Sequence, residues 1–148
     1  MRAPSSTLVV DAAVLISAVL GRSSGAIKEA QLASALITTD RVVHEARRRL
    51  ELGLKRPELL KVLDDLATAL TIVPIAALEP LLASCETALR DAVASRNSST
   101  RDAHVLALAY SVEADVWTAD RDFARTGVAT WSTPNLMRGL AEVATGRP

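Results

Sequence analysis

The chain has 148 residues, enough for one domain with a real core, and its 49% hydrophobic and 23% charged residues describe a soluble globule. A formal net charge of zero removes any argument from overall basicity for nucleic-acid binding, and 3% aromatic content argues against a base-stacking platform. The single cysteine, Cys85, forms no internal disulfide, so a reducing compartment is expected.

In chain order, Met1–Ser6 reads as a loose end. Leu8-Val9-Val10 is too short for a helix and suits a buried central strand, and Ala12–Leu20 follows as a buried helix. Asp11 stands at the junction. The carboxyl ends of strands are where open α/β sheets bind ligands, but Asp is also a preferred helix N-cap, so this position alone supports both readings. A turn cluster at Gly21–Gly25 leads to a helix over Ala26–Ala35 and a short strand, Leu36-Ile37-Thr38. Thr39 or Asp40 then caps a helix from Arg41 to Leu52, stopped by Gly53.

Pro57 opens the next helix, Glu58–Leu70, whose apolar stripe is Leu59, Leu60, Leu63, Leu66 and Leu70. Thr71-Ile72-Val73 is a strand. Leu78–Ala94 is a helix with Cys85 on its apolar face, which makes the thiol a core residue rather than a nucleophile. A polar loop precedes the helix Arg101–Val112, capped by Ser99 or Thr100. Asp115–Thr118 is a strand, Ala119–Phe123 a turn, and Gly127–Trp131 a last strand. Ser132-Thr133-Pro134 opens a final helix, Asn135–Val143. Trp131 and Leu136 are expected in the core. Alternating strands and helices imply an α/β fold around a largely parallel sheet, and no linker divides the chain. Asp11 interrupts the N-terminal apolar stretch and no uncharged run reaches spanning length, so a cytoplasmic location and no membrane partner are expected.

Four acidic residues lie where solubility alone would not put them. Asp11 and Asp120 each follow a strand, although turn chemistry also favours Asp at the second position. Asp102 opens a helix on the face of Val105, Leu106 and Ala109, and an Asp near a helix N-terminus is also routine. Glu45 lies beside the stripe Val42, Val43, Ala46 and Leu50, where Arg49 at i+4 offers an ordinary surface pair. If the four meet, their mutual repulsion calls for a counter-charge, which a hard cation such as Mg²⁺ or Mn²⁺ supplies through oxygen ligands. The sequence has no glycine-rich phosphate loop, zinc-spaced Cys/His set or serine elbow. His44 and His104 lack HExxH spacing and are read as structural or peripheral residues.

These elements, in this order, resemble the PIN domain family, most closely its small stand-alone prokaryotic kind with VapC-like toxin ribonucleases. The matching stretches are VVDAAVLISAVLG, VVHEARRRL, RDAHVLALA and WTADRDFARTGVATWSTPNL, which together span essentially the whole chain. The resemblance implies a single PIN-like domain over residues 1–148, a three-layer α/β/α sandwich. It implies a metal-dependent endoribonuclease whose acidic cluster is Asp11, Glu45, Asp102 and Asp120, with Mg²⁺ or Mn²⁺ on Asp11, Asp102 and Asp120. Asp122 would be an additional carboxylate, at the metal or behind it, and Thr118 would orient a ligand or water. A homodimer and a cognate antitoxin are implied as partners, and RNA as substrate.

Arg47, Arg48, Arg49, Lys55 and Arg56 form the densest basic patch, with Arg96, Arg101, Arg121 and Arg125 near the other acidic positions. Among these, Arg48, Arg49 and Arg121 are the candidate RNA-backbone contacts; a solvated surface is the competing reading. One departure from the family pattern is Ala13, two residues after Asp11, where a small polar side chain is usual. It leaves a second reading open, a catalytically weak or inactive module that binds RNA or protein.

Overall fold

In the computed structural model, which describes residues 3–22, 24–92, 103–119 and 127–146, five strands form one wholly parallel sheet of order β3-β2-β1-β4-β5. The strands are β1 (Thr7–Val10), β2 (Ala35–Thr39), β3 (Thr71–Val73), β4 (Asp115–Trp117) and β5 (Thr130–Trp131). The described α-helices are α1 (Ala12–Val19), α2 (Ser24–Ala33), α3 (Asp40–Arg48), α4 (Leu60–Ala67), α5 (Glu79–Ala92), α6 (Ala103–Val112) and α7 (Thr133–Ala144). On one side α1 packs on α2, α3 and α4, and α2 packs on α7. On the other, α6 lies against β1, β2 and β4, with α5 behind it. The result is the expected three-layer α/β/α sandwich.

The sequence dictates the middle of this arrangement. Leu8, Val9 and Val10 of β1 are fully buried, because β1 is the central strand and both its faces are covered. Each such side chain contributes about 1.5–3 kcal/mol through burial. Every residue from Ala103 to Ala109 is buried. A helix apolar all round belongs between two layers, and α6 lies between the sheet and α5. Cys85, Trp131 and Leu136 are core residues, as expected.

Several element boundaries differ from the sequence expectation. The helix expected over Arg41–Leu52 is α-helical only to Arg48 and continues as a π-helical turn, Arg49–Gly53. The Leu54 N–H donates to the Arg49 carbonyl five residues back at 2.7 Å. The stripe Val42, Ala46 and Leu50 is buried, whereas Leu52 is 61% exposed. Leu50 continues the i, i+4 stripe of Val42 and Ala46 into the core, while Leu52, two residues on, points out. The helix expected over Glu58–Leu70 begins as a 3₁₀ turn, Pro57–Leu59, and ends at Ala67, although its stripe does face the core through Leu63 and Leu70. The helix expected from Leu78 is likewise preceded by a 3₁₀ turn, Ile75–Leu78. β5 is shorter than the predicted Gly127–Trp131, because only Thr130 and Trp131 find ladder partners, on Val116 and Trp117. The expected caps of α6, Ser99 and Thr100, lie outside the described residues.

Candidate active site and basic pocket

β1 hands the chain directly to α1, and Asp11 is the residue between them. Its backbone N–H donates to the Trp117 carbonyl at 3.1 Å, which holds it to the carboxyl end of β4. Its Oδ1 accepts from the Ala12 N–H at 2.8 Å, an N-cap contact. Its Oδ2 accepts from the Thr118 hydroxyl at 2.7 Å, across 107 residues of sequence. Asp11 is 5% exposed and Thr118 is also buried. The N-cap reading of Asp11 holds: one oxygen caps α1, while the other accepts from Thr118 at the strand end. Hard carboxylate oxygens with a fixed orientation are the donor type that Mg²⁺ or Mn²⁺ takes.

Next along the sheet edge, Thr38 donates its hydroxyl to the Val10 carbonyl at 2.7 Å. Thr39, at the end of β2, is the N-cap of α3: its Oγ1 accepts from the Val42 N–H at 3.1 Å. The same Oγ1 lies 2.8 Å from Nδ1 of His104 in the first turn of α6. His104 is 2% exposed. Burial, helped by the Arg41 guanidinium and opposed by Asp40, pushes His104 down to about 4, so the ring is neutral at pH 7. The reading of His104 as structural is correct at its Nδ1 edge.

α3 and the π-helical turn that extends it form one wall of a pocket of about 570 Å³. Arg41, His44, Glu45, Arg48 and Arg49 line it, with Leu52, Gly53 and His104. The surface pair anticipated between Glu45 and Arg49 is not formed. Two members of the basic patch are neutralised: Arg47 pairs with Asp64 of α4, and Arg56 with Glu58. Among the described residues Arg48 and Arg49 have no such partner, and they line the pocket together with Glu45.

The structure thus joins Asp11 to Thr118, and Glu45 to Arg48 and Arg49. Asp102, Asp120, Arg121 and Asp122 lie outside the described residues, as do Arg96, Arg101 and Arg125. Among the described residues no group of three His, Cys, Asp or Glu side chains is placed to hold a metal. Sequence reading missed Arg41 and the pocket side of His104. The cap signal at Thr39 was visible, but its partner lies 65 residues away and only folding brings it there.

A family model of the PIN domain matches residues 9–141, nearly the whole chain. The chain belongs to the PIN domain family. No curated protein sequence matches it significantly. Among solved structures, this PIN domain is similar to VapBC2 from Rickettsia felis bound to a promoter DNA fragment, with a TM-score of 0.67 and 13% identity over 85% of this chain and 98% of that one. It is similar to a Pyrobaculum aerophilum protein, with a TM-score of 0.62 and 21% identity over 91% and 89% of the two chains. A toxin–antitoxin complex from Klebsiella pneumoniae gives a TM-score of 0.56 and 20% identity over 85% of this PIN domain and 97% of that chain. At these identities the likeness is one of fold.

Proposed function

We propose that this PIN domain, acting as a single unit over residues 1–148, is a Mg²⁺- or Mn²⁺-dependent endoribonuclease and the toxin of a type II toxin–antitoxin pair. The observation that carries the reading is the buried Asp11 carboxylate, oriented by Thr118 at the carboxyl end of the central strand of a PIN fold. Asp11, Asp102 and Asp120 would hold the cation; the latter two adjoin Ala103 and Ala119 in sequence. A divalent cation there supplies charge neutralisation at the phosphodiester and a more acidic water. Glu45 accepts a proton or orients water, Thr118 fixes the Asp11 carboxylate, and Arg48, Arg49 and Arg121 hold the RNA backbone. The Klebsiella relative is a toxin–antitoxin complex, which supports an antitoxin partner here; a homodimer is proposed on the family resemblance. No described helix is long and apolar enough to cross a membrane.

The test is RNA cleavage by the purified chain with Mn²⁺ or Mg²⁺, with chelator, and with Asp102→Asn. Cleavage that both chelator and the substitution abolish, in a variant that stays folded, is the expected result. One observation favours the second reading: Ala13, in the first turn of α1 beside Asp11, offers no polar atom. RNA binding without metal, and no cleavage with either cation, would establish the non-catalytic module instead.

A further inference from the structure

We infer that the pocket along α3 is a subsite for one nucleotide of an RNA strand, with the Nε2–H of His104 as its fixed interior donor and Arg41, Arg48 and Arg49 as its phosphate-facing cations. The choice of RNA rests on the ribonuclease reading above. The argument begins at Thr39, which is fully buried. Its Oγ1 already accepts from the Val42 N–H, and among the described residues its hydroxyl proton has one acceptor within reach, Nδ1 of His104. A buried hydroxyl donates where it can, so Nδ1 is the acceptor and the proton of the neutral ring sits on Nε2. The Nε2 edge turns away from Thr39 and makes no hydrogen bond among the described residues. His104 is 98% buried by its 2% exposure, yet it lines the pocket. A buried N–H without a partner is costly, by about 1–3 kcal/mol, and a ligand acceptor relieves that cost.

The remaining lining says which acceptor. Among the described lining residues three guanidiniums meet one carboxylate, Glu45, so this wall of the pocket favours an anion. Among the described residues none of Arg41, Arg48 and Arg49 is held in an ion pair, whereas Arg47 and Arg56 of the same basic run are. About 570 Å³ is far more than a phosphate needs and lies within the roughly 300–1,000 Å³ of small-molecule sites. The exposed Leu52 adds apolar surface against which a base can lie, and Glu45 can accept from an amino group or a ribose hydroxyl. The pocket thus offers a phosphate's cations, a base's apolar wall and a sugar's acceptor within one cavity.

The experiment measures binding of a fluorescent single-stranded oligoribonucleotide to the full chain in chelator, with AMP, inorganic phosphate and polyglutamate as competitors. In His104→Asn the side-chain carbonyl still takes the Thr39 hydroxyl, while the Nε2–H is gone. That variant is expected to unfold at the wild-type midpoint and to bind the oligonucleotide about tenfold more weakly. Arg48→Gln/Arg49→Gln, at exposed positions, is expected to weaken binding and to flatten the salt dependence by about 0.7 per lost phosphate contact. This double variant carries the test alone if His104→Asn shifts the unfolding midpoint. AMP is expected to compete better than phosphate. Wild-type affinity in the variants, or displacement by polyglutamate in preference to AMP, overturns the inference. Because chelator stops cleavage, the two readings fail separately. An inactive chain that still binds RNA through His104 sinks the ribonuclease and keeps the subsite. A cleaving chain indifferent to His104→Asn does the reverse.

Discussion

Asp11 divides its two oxygens between two contacts. Oδ1 caps α1, and Oδ2 is steered by the Thr118 hydroxyl. Asn is as good an N-cap as Asp, so Asp11→Asn keeps the helix start and removes only the charge. The expected outcome is a folded protein whose melting temperature no longer rises with Mn²⁺ and which does not cleave RNA, read by thermal unfolding with and without the cation and by a cleavage assay. Thr118→Val is close in shape and removes the hydroxyl. It is expected to weaken Mn²⁺ binding by about 10–100-fold in a calorimetric titration, the usual effect of losing a group that orients a ligand. His104 makes a pH prediction. Its folded value of about 4 lies below the ordinary 6.5, so between these limits the unfolded chain binds more protons. Stability therefore falls as pH drops from 6.5 towards 4, by up to about 3 kcal/mol, and levels off below. Urea unfolding of wild type and His104→Asn across that range should show the wild type's steeper loss.

At the scale of elements, α3 is fixed at both ends by unlike devices. Its start is the Thr39 cap, which also grips α6 through His104. Its end is the π-helical turn Arg49–Gly53, with Arg49 on the pocket wall and Leu50 in the core. Thr39→Val removes the cap and leaves Nδ1 of His104 without a donor. The expected loss is roughly 2–4 kcal/mol, the sum of a missing cap and an unsatisfied buried group. Thr39→Ser restores both bonds and should recover most of it, as equilibrium denaturation would show. Asp40 adds a further tie, accepting from the Ile75 N–H at 2.9 Å, so that the start of α3 is joined to the turn after β3.

Across the whole molecule, the buried Asp115 of β4 links parts distant in sequence. Its Oδ2 accepts from the Ser5 N–H at 3.0 Å and from the Trp131 indole N–H at 2.9 Å. It thereby joins the N-terminal segment, a central strand and the edge strand β5. Asp115→Ala leaves those donors without that acceptor, and a loss of roughly 2–4 kcal/mol is expected in denaturant unfolding. Trp131 fluorescence should report it. Asp115 stands at the amino end of β4, opposite the carboxyl ends where Asp11 and Thr118 meet, so its loss is expected to act through stability alone.

The layered α/β plan, the central position of β1, the buried α6 and the residues at the strand ends are legible before folding. Those follow from local rules: apolar run length, the alternation of strands with helices, and caps. Asp11 and Glu45 were legible as unusual because a carboxylate beside an apolar stripe conflicts with its surroundings. Tertiary structure alone decided the rest. Whether Glu45 pairs with Arg49 depends on where the helix widens, and periodicity carries no mark of a π-helical turn. Which arginines remain available depends on whether α4 brings Asp64 to Arg47. The role of His104 depends on a hydroxyl 65 residues away, because a ring nitrogen's task is set by its partner, and long-range partners are created only by packing.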